Sequence, residues 1–367
     1  MPLVDYHSTG RPIIDIDLDE EPYDRWYEVG QIHGRQLARF LNDIQSMCER
    51  HAGELLGTGA WGWFPSSLSE TILSALIYGS GSIAGKVGLS LGRLFGEEYV
   101  DEIRGLAAGS GLCEGSLFLA NLTYDISVGF GALPTACSSF SMPLRGAPVL
   151  VRNMDWSLPK STGRHTVVTR FHKGSQSYMN VGPLGCVGVL SAMREGAWAV
   201  TLNQAPPNGA PNFFTWPSMH HLRACCDAAL TFNSLVRRIK QGETMTPFFA
   251  HVVGNSPEEQ VIVEHIANDY LLRRPVPGEP LIQTNHFVSE ENSDLNCGVM
   301  DDAGDTETTD EHYCERYAAL ERRLSKKPRT IRDAFKKISR APVTYEATMN
   351  SMLLRPSSGE SIIQVRT

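Results

Sequence analysis

The sequence predicts a layered α+β protein, and three observations carry that prediction. The first third has helical periodicity. The period changes to strand-like alternation at Ala136. Strands, then helices, then strands follow to the C-terminus, an order that suits segregated layers better than a strictly alternating body.

Residues 27–42 carry Val29, Ile32, Leu37, Phe40 and Leu41 at helical spacing on one face. Residues 71–95 are apolar but broken by Lys86 and several Gly and Ser residues. With Trp61, Trp63 and Phe64 ahead of them, residues 61–95 form either a core helix pair or a lipid-facing lip at a membrane surface. Residues 98–108 continue the helical character, and residues 121–135 form a transition ending in Gly-Ala-Leu-Pro-Thr. Residues 137–142 and 149–154 then read as two strands joined by a turn containing Arg145-Gly146-Ala147-Pro148. Strand-like runs follow at 165–171, 188–192 and 198–203, a helical stretch at 217–239, and strands at 261–265 and 271–273. Residues 290–311 are acidic and rich in Gly, Asp and Thr, as in a long surface loop. Helices at 310–324 and 331–338 and strands at 351–354 and 361–365 close the chain, which has no internal repeat.

The chain has 367 residues, 42% hydrophobic and 20% charged, enough to bury a sizeable core. Its net charge of -8, without a Lys/Arg stripe, argues against nucleic acid as a partner. The eight cysteines include no C-x-x-C pair and no zinc-finger spacing, so reduced thiols are expected rather than a disulfide scaffold. The N-terminus lacks a basic region followed by an apolar one, and no run of apolar residues is long enough to span a bilayer; the expectation is a cytoplasmic protein.

The sharpest local feature is Ala136-Cys137-Ser138-Ser139-Phe140, followed by Val151-Arg152-Asn153-Met154-Asp155-Trp156. A hairpin would return Arg152 and Asp155 towards the start of the first strand, placing a cation and a carboxylate beside a thiol. Cysteine attacks as the thiolate, which a neighbouring arginine favours. Were Cys137 a chain N-terminus, its own α-amine, titrating at about 7.7–8.0, would be a suitable base. Asp155 could orient that amine. Asn203 and Asn285 each end a strand-like run and could donate to a tetrahedral oxyanion. The alternatives are a structural ion pair across the hairpin for Arg152 and Asp155, and turn roles for the two asparagines.

The ordered series Glu102-Ile103-Arg104-Gly105, Asn121-Leu122-Thr123-Tyr124-Asp125, Cys137-Ser138-Ser139 and Arg152-Asn153-Met154-Asp155-Trp156 resembles acid ceramidase and the N-acylethanolamine acid amidases. Tyr27-Glu28-Val29-Gly30-Gln31-Ile32-His33-Gly34 resembles the entry helix of the isopenicillin N acyltransferases, and Gln283-Thr284-Asn285 matches the amidases' Q-T-N. The resemblance implies a four-layer αββα N-terminal-nucleophile (Ntn) hydrolase sandwich. It also implies self-cleavage before Cys137, so that residues 1–136 become a mainly helical subunit and residues 137–367 the Ntn core, integrated in one globular unit. Carried over residue by residue, it implies Cys137 as nucleophile, Arg152 and Asp155 as its neighbours, and Asn285 at the oxyanion. Asn203 resembles the second polar residue of bile-salt hydrolases. A late arginine of these families matches Arg316, with Arg322 and Arg323 as competitors. The aspartate that the amidases carry shortly after Q-T-N is replaced here by His286-Phe287.

The expected activity is cleavage of a linear N-acyl amide through a thioester acyl-enzyme, with no metal or organic cofactor, since nucleophile, base and oxyanion donors all come from the chain. Two other chemistries fit the same residues. An acyltransferase would pass the acyl group to an amine. An unprocessed Cys/His thiol hydrolase would use one of His220, His221 or His251. A non-catalytic relic would have no reason to keep Cys137, Arg152, Asp155 and Asn285 together.

Overall fold

The computed structural model describes residues 12–57, 95–130, 135–156, 160–206, 212, 214–266, 268–296 and 315–366. The segment 61–94, in which a helix pair or lipid-facing lip is expected, and most of the acidic 290–311 loop lie outside them. So do the first five residues of the expected 310–324 helix.

Two sheets form the centre. One has eight strands in the order β1 (Ile13–Asp17), β4 (Thr166–Lys173), β5 (Gln176–Pro183), β6 (Ser191–Arg194), β7 (Trp198–Gln204), β8 (Phe248–Val253), β9 (Gln260–His265) and β10 (Tyr270–Arg273). The other has five, in the order β11 (Leu281–Gln283), β2 (Thr135–Leu144), β3 (Ala147–Trp156), β12 (Thr348–Arg355) and β13 (Glu360–Val365). Among the described strands all pairings are antiparallel except β1 with β4.

The inner faces of the sheets meet through Leu150, Met352 and Leu354 from one and Val168, Met179, Val181, Ala199 and Val253 from the other. The helices cover the outer faces. On the eight-stranded sheet, α1 (Pro22–Gly57), α2 (Glu97–Ser110), α3 (Glu114–Phe130), α4 (Ser218–Ala228) and α5 (Phe232–Ile239) bury Trp26, Leu106, Leu122, Leu222 and Leu235 against Phe171, Trp198 and Val200. On the five-stranded sheet, α6 (Glu315–Leu324) and α7 (Ile331–Ile338) bury Leu320, Leu324 and Ile338 against Phe140, Val149 and Leu353. The layers therefore stack helix, sheet, sheet, helix, as expected. Each large side chain buried this way stabilises the stack by roughly 1.5–3 kcal/mol before entropy is set against it.

Several expected elements are corrected. The first third is not wholly helical: Ile13–Asp17 is an edge strand, which joins the N-terminal segment directly to the sheet of the later chain. Residues 121–130 are no transition but the second half of α3. Its interior Asn121 is tolerated because its side chain donates to Gly185 O and accepts from Val187 N. The stretch 217–239 is two helices, broken where Ala229 turns extended and Thr231 caps the second with Ser234. Residues 290–296 form a 3-10 helix. Among the described residues no helix is long and apolar enough to cross a membrane.

Candidate active site

The β2–β3 hairpin places the chemistry. Its two-residue turn has positive φ at both Arg145 (54°) and Gly146 (85°), the pattern whose twist matches a hairpin. That turn sets the register: Cys137 lies opposite Met154, Ser139 opposite Arg152, and Ala136 opposite Asp155. Side chains alternate between faces along a strand. Cys137, Ser139, Ser141 and Arg152 consequently point between the sheets, while Ser138, Asn153 and Asp155 point to the outer helices.

Arg152 is 1% exposed. Its Nη2 donates to Cys137 Sγ at 3.1 Å and to Leu202 O at 2.6 Å; its Nη1 donates to Leu190 O at 2.8 Å and to Ser191 Oγ. The guanidinium is thus pinned by the facing sheet and aimed at the thiol sulfur.

The main chain of Cys137 is held from the other side. Its N–H donates to Asn285 Oδ1 at 2.8 Å, and its carbonyl accepts from Arg316 Nη1 at 2.9 Å. Arg316 also donates to Ser138 Oγ at 3.0 Å and to Asn285 Oδ1 at 2.9 Å, and lies 3.5 Å from Asp155 Oδ2. Thr348 Oγ1 donates to the second oxygen of Asp155 at 2.6 Å. Arg152 and Asp155, three residues apart, therefore leave the strand on opposite faces. One meets the thiol; the other meets Arg316, which meets the main chain of the same cysteine. Of the three late arginines, Arg316 reaches the site, whereas Arg323 bonds the carbonyls of Lys337, Arg340 and Ala341.

The two asparagines differ. Asn285 spends one amide hydrogen on Gln204 O at 2.9 Å, so the other is left for a ligand. Asn203, fully buried, directs its amide nitrogen at Ser139 Oγ and at the carbonyls of Gln283 and Thr284, 3.2–3.4 Å away. The expectation that Asn203 donates to an oxyanion meets an amide already occupied, and this residue braces β7 against β2 and the Q-T-N turn.

Among the described residues no histidine hydrogen-bonds the Cys137 thiol, whose side-chain partner is Arg152. His251 bridges Ser139 Oγ (3.0 Å) and Ser141 Oγ (2.9 Å), and burial, with Arg273 adding, drives its ring well below the ordinary histidine range. A neutral ring with one donor and one acceptor suits two hydroxyls. His220 packs edge-on against Phe95 with neither ring nitrogen paired, and His221 bonds Ile239 O and Cys225. Burial pushes the thiols of Cys186 and Cys225 up to about 12, and that of Cys226 well above its usual value, so these cysteines stay protonated. Among the described residues no group of three His, Cys, Asp or Glu side chains could hold a metal ion.

Sequence reasoning missed Thr348, Ser191 and Tyr124. The first two are short hydroxyl residues with no local pattern. Tyr124 lies in a quoted motif. Its hydroxyl donates to Asn203 O at 3.4 Å, and burial lifts its phenol well above 10, with Asp125 and Cys137 adding to the rise.

No family model matches the chain. The chain is 23% identical over 292 residues to the N-acylethanolamine-hydrolyzing acid amidase of Caenorhabditis elegans, covering 74% of this chain and 73% of that relative. A solved structure of the Caenorhabditis elegans N-acylethanolamine-hydrolyzing acid amidase ortholog superposes with a TM-score of 0.50 at 18% identity, over 62% of this chain and all of that one. These similarities bear out the resemblance to the acid ceramidase and N-acylethanolamine acid amidase group, and the structural likeness bears out the Ntn-hydrolase sandwich.

Proposed function

We propose that this chain is a self-processing cysteine amidase that cleaves a linear N-acyl amide, with N-acylethanolamines as the first substrate class to try. Its amide-hydrolysing character rests on the similarity to the nematode acid amidase. The thiol chemistry rests on one observation above the others: the side chain and both main-chain polar groups of Cys137 are each met by a separate polar partner, Arg152, Asn285 and Arg316. Any buried strand residue needs its N–H and C=O paired. Here, past the end of β11, the partners are the side chains of Asn285 and Arg316 in place of a neighbouring strand. That arrangement suits a residue destined to become a chain terminus and a nucleophile.

Processing would begin with attack of Cys137 Sγ on the Ala136 carbonyl carbon. The peptide C–N bond breaks as the C–S bond forms, and the released nitrogen takes the thiol proton, leaving a thioester and a free α-amine. Water then opens the thioester, giving the Ala136 carboxylate and restoring the thiol. In turnover the α-amine takes the thiol proton and the thiolate attacks the substrate carbonyl. The second amide hydrogen of Asn285 donates to the oxyanion. Collapse expels the amine, which takes its proton from the α-ammonium. Water, deprotonated by the same α-amine, hydrolyses the acyl-enzyme. Asp155 acts through Arg316, holding it against the Cys137 carbonyl and Asn285 Oδ1. Hydrolysis of a fluorogenic N-acyl amide by wild type and by Cys137→Ala tests the reading: activity lost with the sulfur supports it, and equal rates overturn it.

A further inference from the structure

The Q-T-N turn is tied down more heavily than the end of a three-residue strand requires. Gln283, fully buried, folds its side chain over the turn, and its Nε2 donates to His286 O at 2.8 Å and to Thr284 O at 3.5 Å. These two carbonyls flank Asn285. The Gln283 Oε1 accepts from Arg273 Nη2, which also donates to Ile282 O at 2.7 Å. Behind Arg273 stands Glu264, also fully buried, with an oxygen 3.5 Å from Arg273 Nε; its other oxygen accepts from Ser289 Oγ and Asn292 Nδ2. A buried ion pair contributes little net stability against well-packed apolar residues. What this one supplies is direction: a charged group with fixed geometry orients the glutamine that spans the turn.

We infer that Gln283, anchored by Arg273, is a positioning residue for amide cleavage. It holds Asn285 so that Oδ1 meets the Cys137 nitrogen while the second amide hydrogen stays aimed at the oxyanion. The inference rests on the amidase reading, because only there does the orientation of Asn285 matter to a rate. Ser139 opposes Gln283 in the β2–β11 ladder, which ends there; beyond Gln283 side-chain bonds from Asn203, Gln283 and Asn296 help set the path of the turn. Arg152 bonds Cys137, Leu190, Ser191 and Leu202, and neither Gln283 nor Arg273 is among these partners, so the clamp and the guanidinium that meets the thiol share no hydrogen bond.

Three readouts test this on the full-length protein and its variants Gln283→Ala, Arg273→Met and Arg273→Lys. Crystal structures give the Asn285 Oδ1 to Cys137 N distance. Kinetics on a fluorogenic N-acyl amide separate kcat from KM. Iodoacetamide alkylation reports the thiol. In Gln283→Ala the distance should open beyond hydrogen-bonding reach and kcat should fall on the order of 10²-fold, as for a misplaced catalytic group, with KM and alkylation unchanged. Arg273→Lys should recover most of the kcat that Arg273→Met loses, since an ammonium still donates to Gln283 Oε1. An Asn285 that stays in place in Gln283→Ala, or an alkylation rate that falls in step with kcat, overturns the inference. If wild type hydrolyses no N-acyl amide, the proposed function fails, and the crystallographic distance alone decides whether the clamp exists.

Discussion

Asn285 Oδ1 lies 2.8 Å from the main-chain nitrogen of Cys137, although the two residues are 148 positions apart. The same oxygen accepts from Arg316, so one carboxamide joins the nucleophile's nitrogen to the late arginine. Its nitrogen bonds Gln204 O with one hydrogen and has the other to spare. Asn285→Ala should therefore lower kcat on the order of 10²–10³-fold, the loss typical of a removed oxyanion donor. Alkylation of Cys137 should keep its wild-type rate. Steady-state kinetics beside iodoacetamide labelling checks this; a labelling rate that collapses with kcat would assign Asn285 to the thiol instead.

Arg152 should behave in the opposite way. Its four acceptors include the thiol sulfur and two buried carbonyls. Arg152→Ala should slow alkylation of Cys137 at neutral pH, because the sulfur loses the guanidinium that faces it. It should also cost roughly 1–3 kcal/mol for each buried carbonyl left without a donor. Urea unfolding measures the second effect. Wild-type alkylation in a folded Arg152→Ala protein would contradict the role given to the guanidinium.

The two segments meet in a buried charge cluster. Glu102 from the first segment accepts from Arg25 Nη1 and Trp26 Nε1 at 2.9 Å and pairs with Arg223 from the second at 3.3 Å. Burial raises the Glu102 carboxyl above its ordinary range, against the pull of Arg223 and Arg25. Glu102→Ala would leave Arg223 buried with only Asp227 as a carboxylate partner, and should destabilise the protein by about 3–5 kcal/mol. If the chain is cut at Ala136–Cys137, this variant should also release its fragments at lower urea than wild type, read by size-exclusion chromatography. An unchanged urea midpoint would remove the cluster from the list of stabilising features.

His220 predicts a pH effect. Burial, with Arg223 adding, lowers its pKa from 6.5 to about 3. A depressed histidine contributes stability that is present above pH 6.5 and is lost as pH falls towards 3. Asp125 runs the other way: burial raises it from 3.8 to about 6, so its contribution is present below 3.8 and is lost as pH rises through 6. His220→Phe keeps the edge-on packing with Phe95 and removes two unpaired buried nitrogens. Its melting temperature should fall less than that of wild type between pH 6.5 and 4, by circular dichroism. An identical slope in both proteins would show that His220 does not carry the effect.

The legible parts of this protein are those with local causes. The hairpin could be read because Arg145-Gly146 is a turn between two apolar runs, and Cys137, Arg152 and Asp155 follow from it. The strand Phe248–Val253 escaped because it is buried on both faces and so has no alternation. The strand Gln176–Pro183 escaped because the buried Asn180 interrupts its apolar face; its carboxamide accepts from Leu190 N and Ser191 N across the sheet. Arg316 was one of three candidates, since the acidic insertion erased its spacing from Q-T-N. The occupied amide of Asn203 and the threonine behind Asp155 depend on elements that meet only in the folded chain. No spacing along the sequence encodes them.

On the proposed mechanism Cys137 cuts its own chain and then works as an N-terminal residue. Intact-mass spectrometry of purified wild type, Cys137→Ser and Cys137→Ala, run beside hydrolysis of a fluorogenic N-acyl amide, tests it most directly. Wild type should yield two fragments, one ending at Ala136 and one beginning at Cys137, that co-elute under native conditions and hydrolyse the amide. Cys137→Ser keeps a hydroxyl of similar reach without an accessible anion, and should be cut slowly or in part. Cys137→Ala should remain one folded, inactive chain. A wild-type protein that hydrolyses the amide as one uncut chain, or a Cys137→Ala protein that is cut and active, would contradict the account.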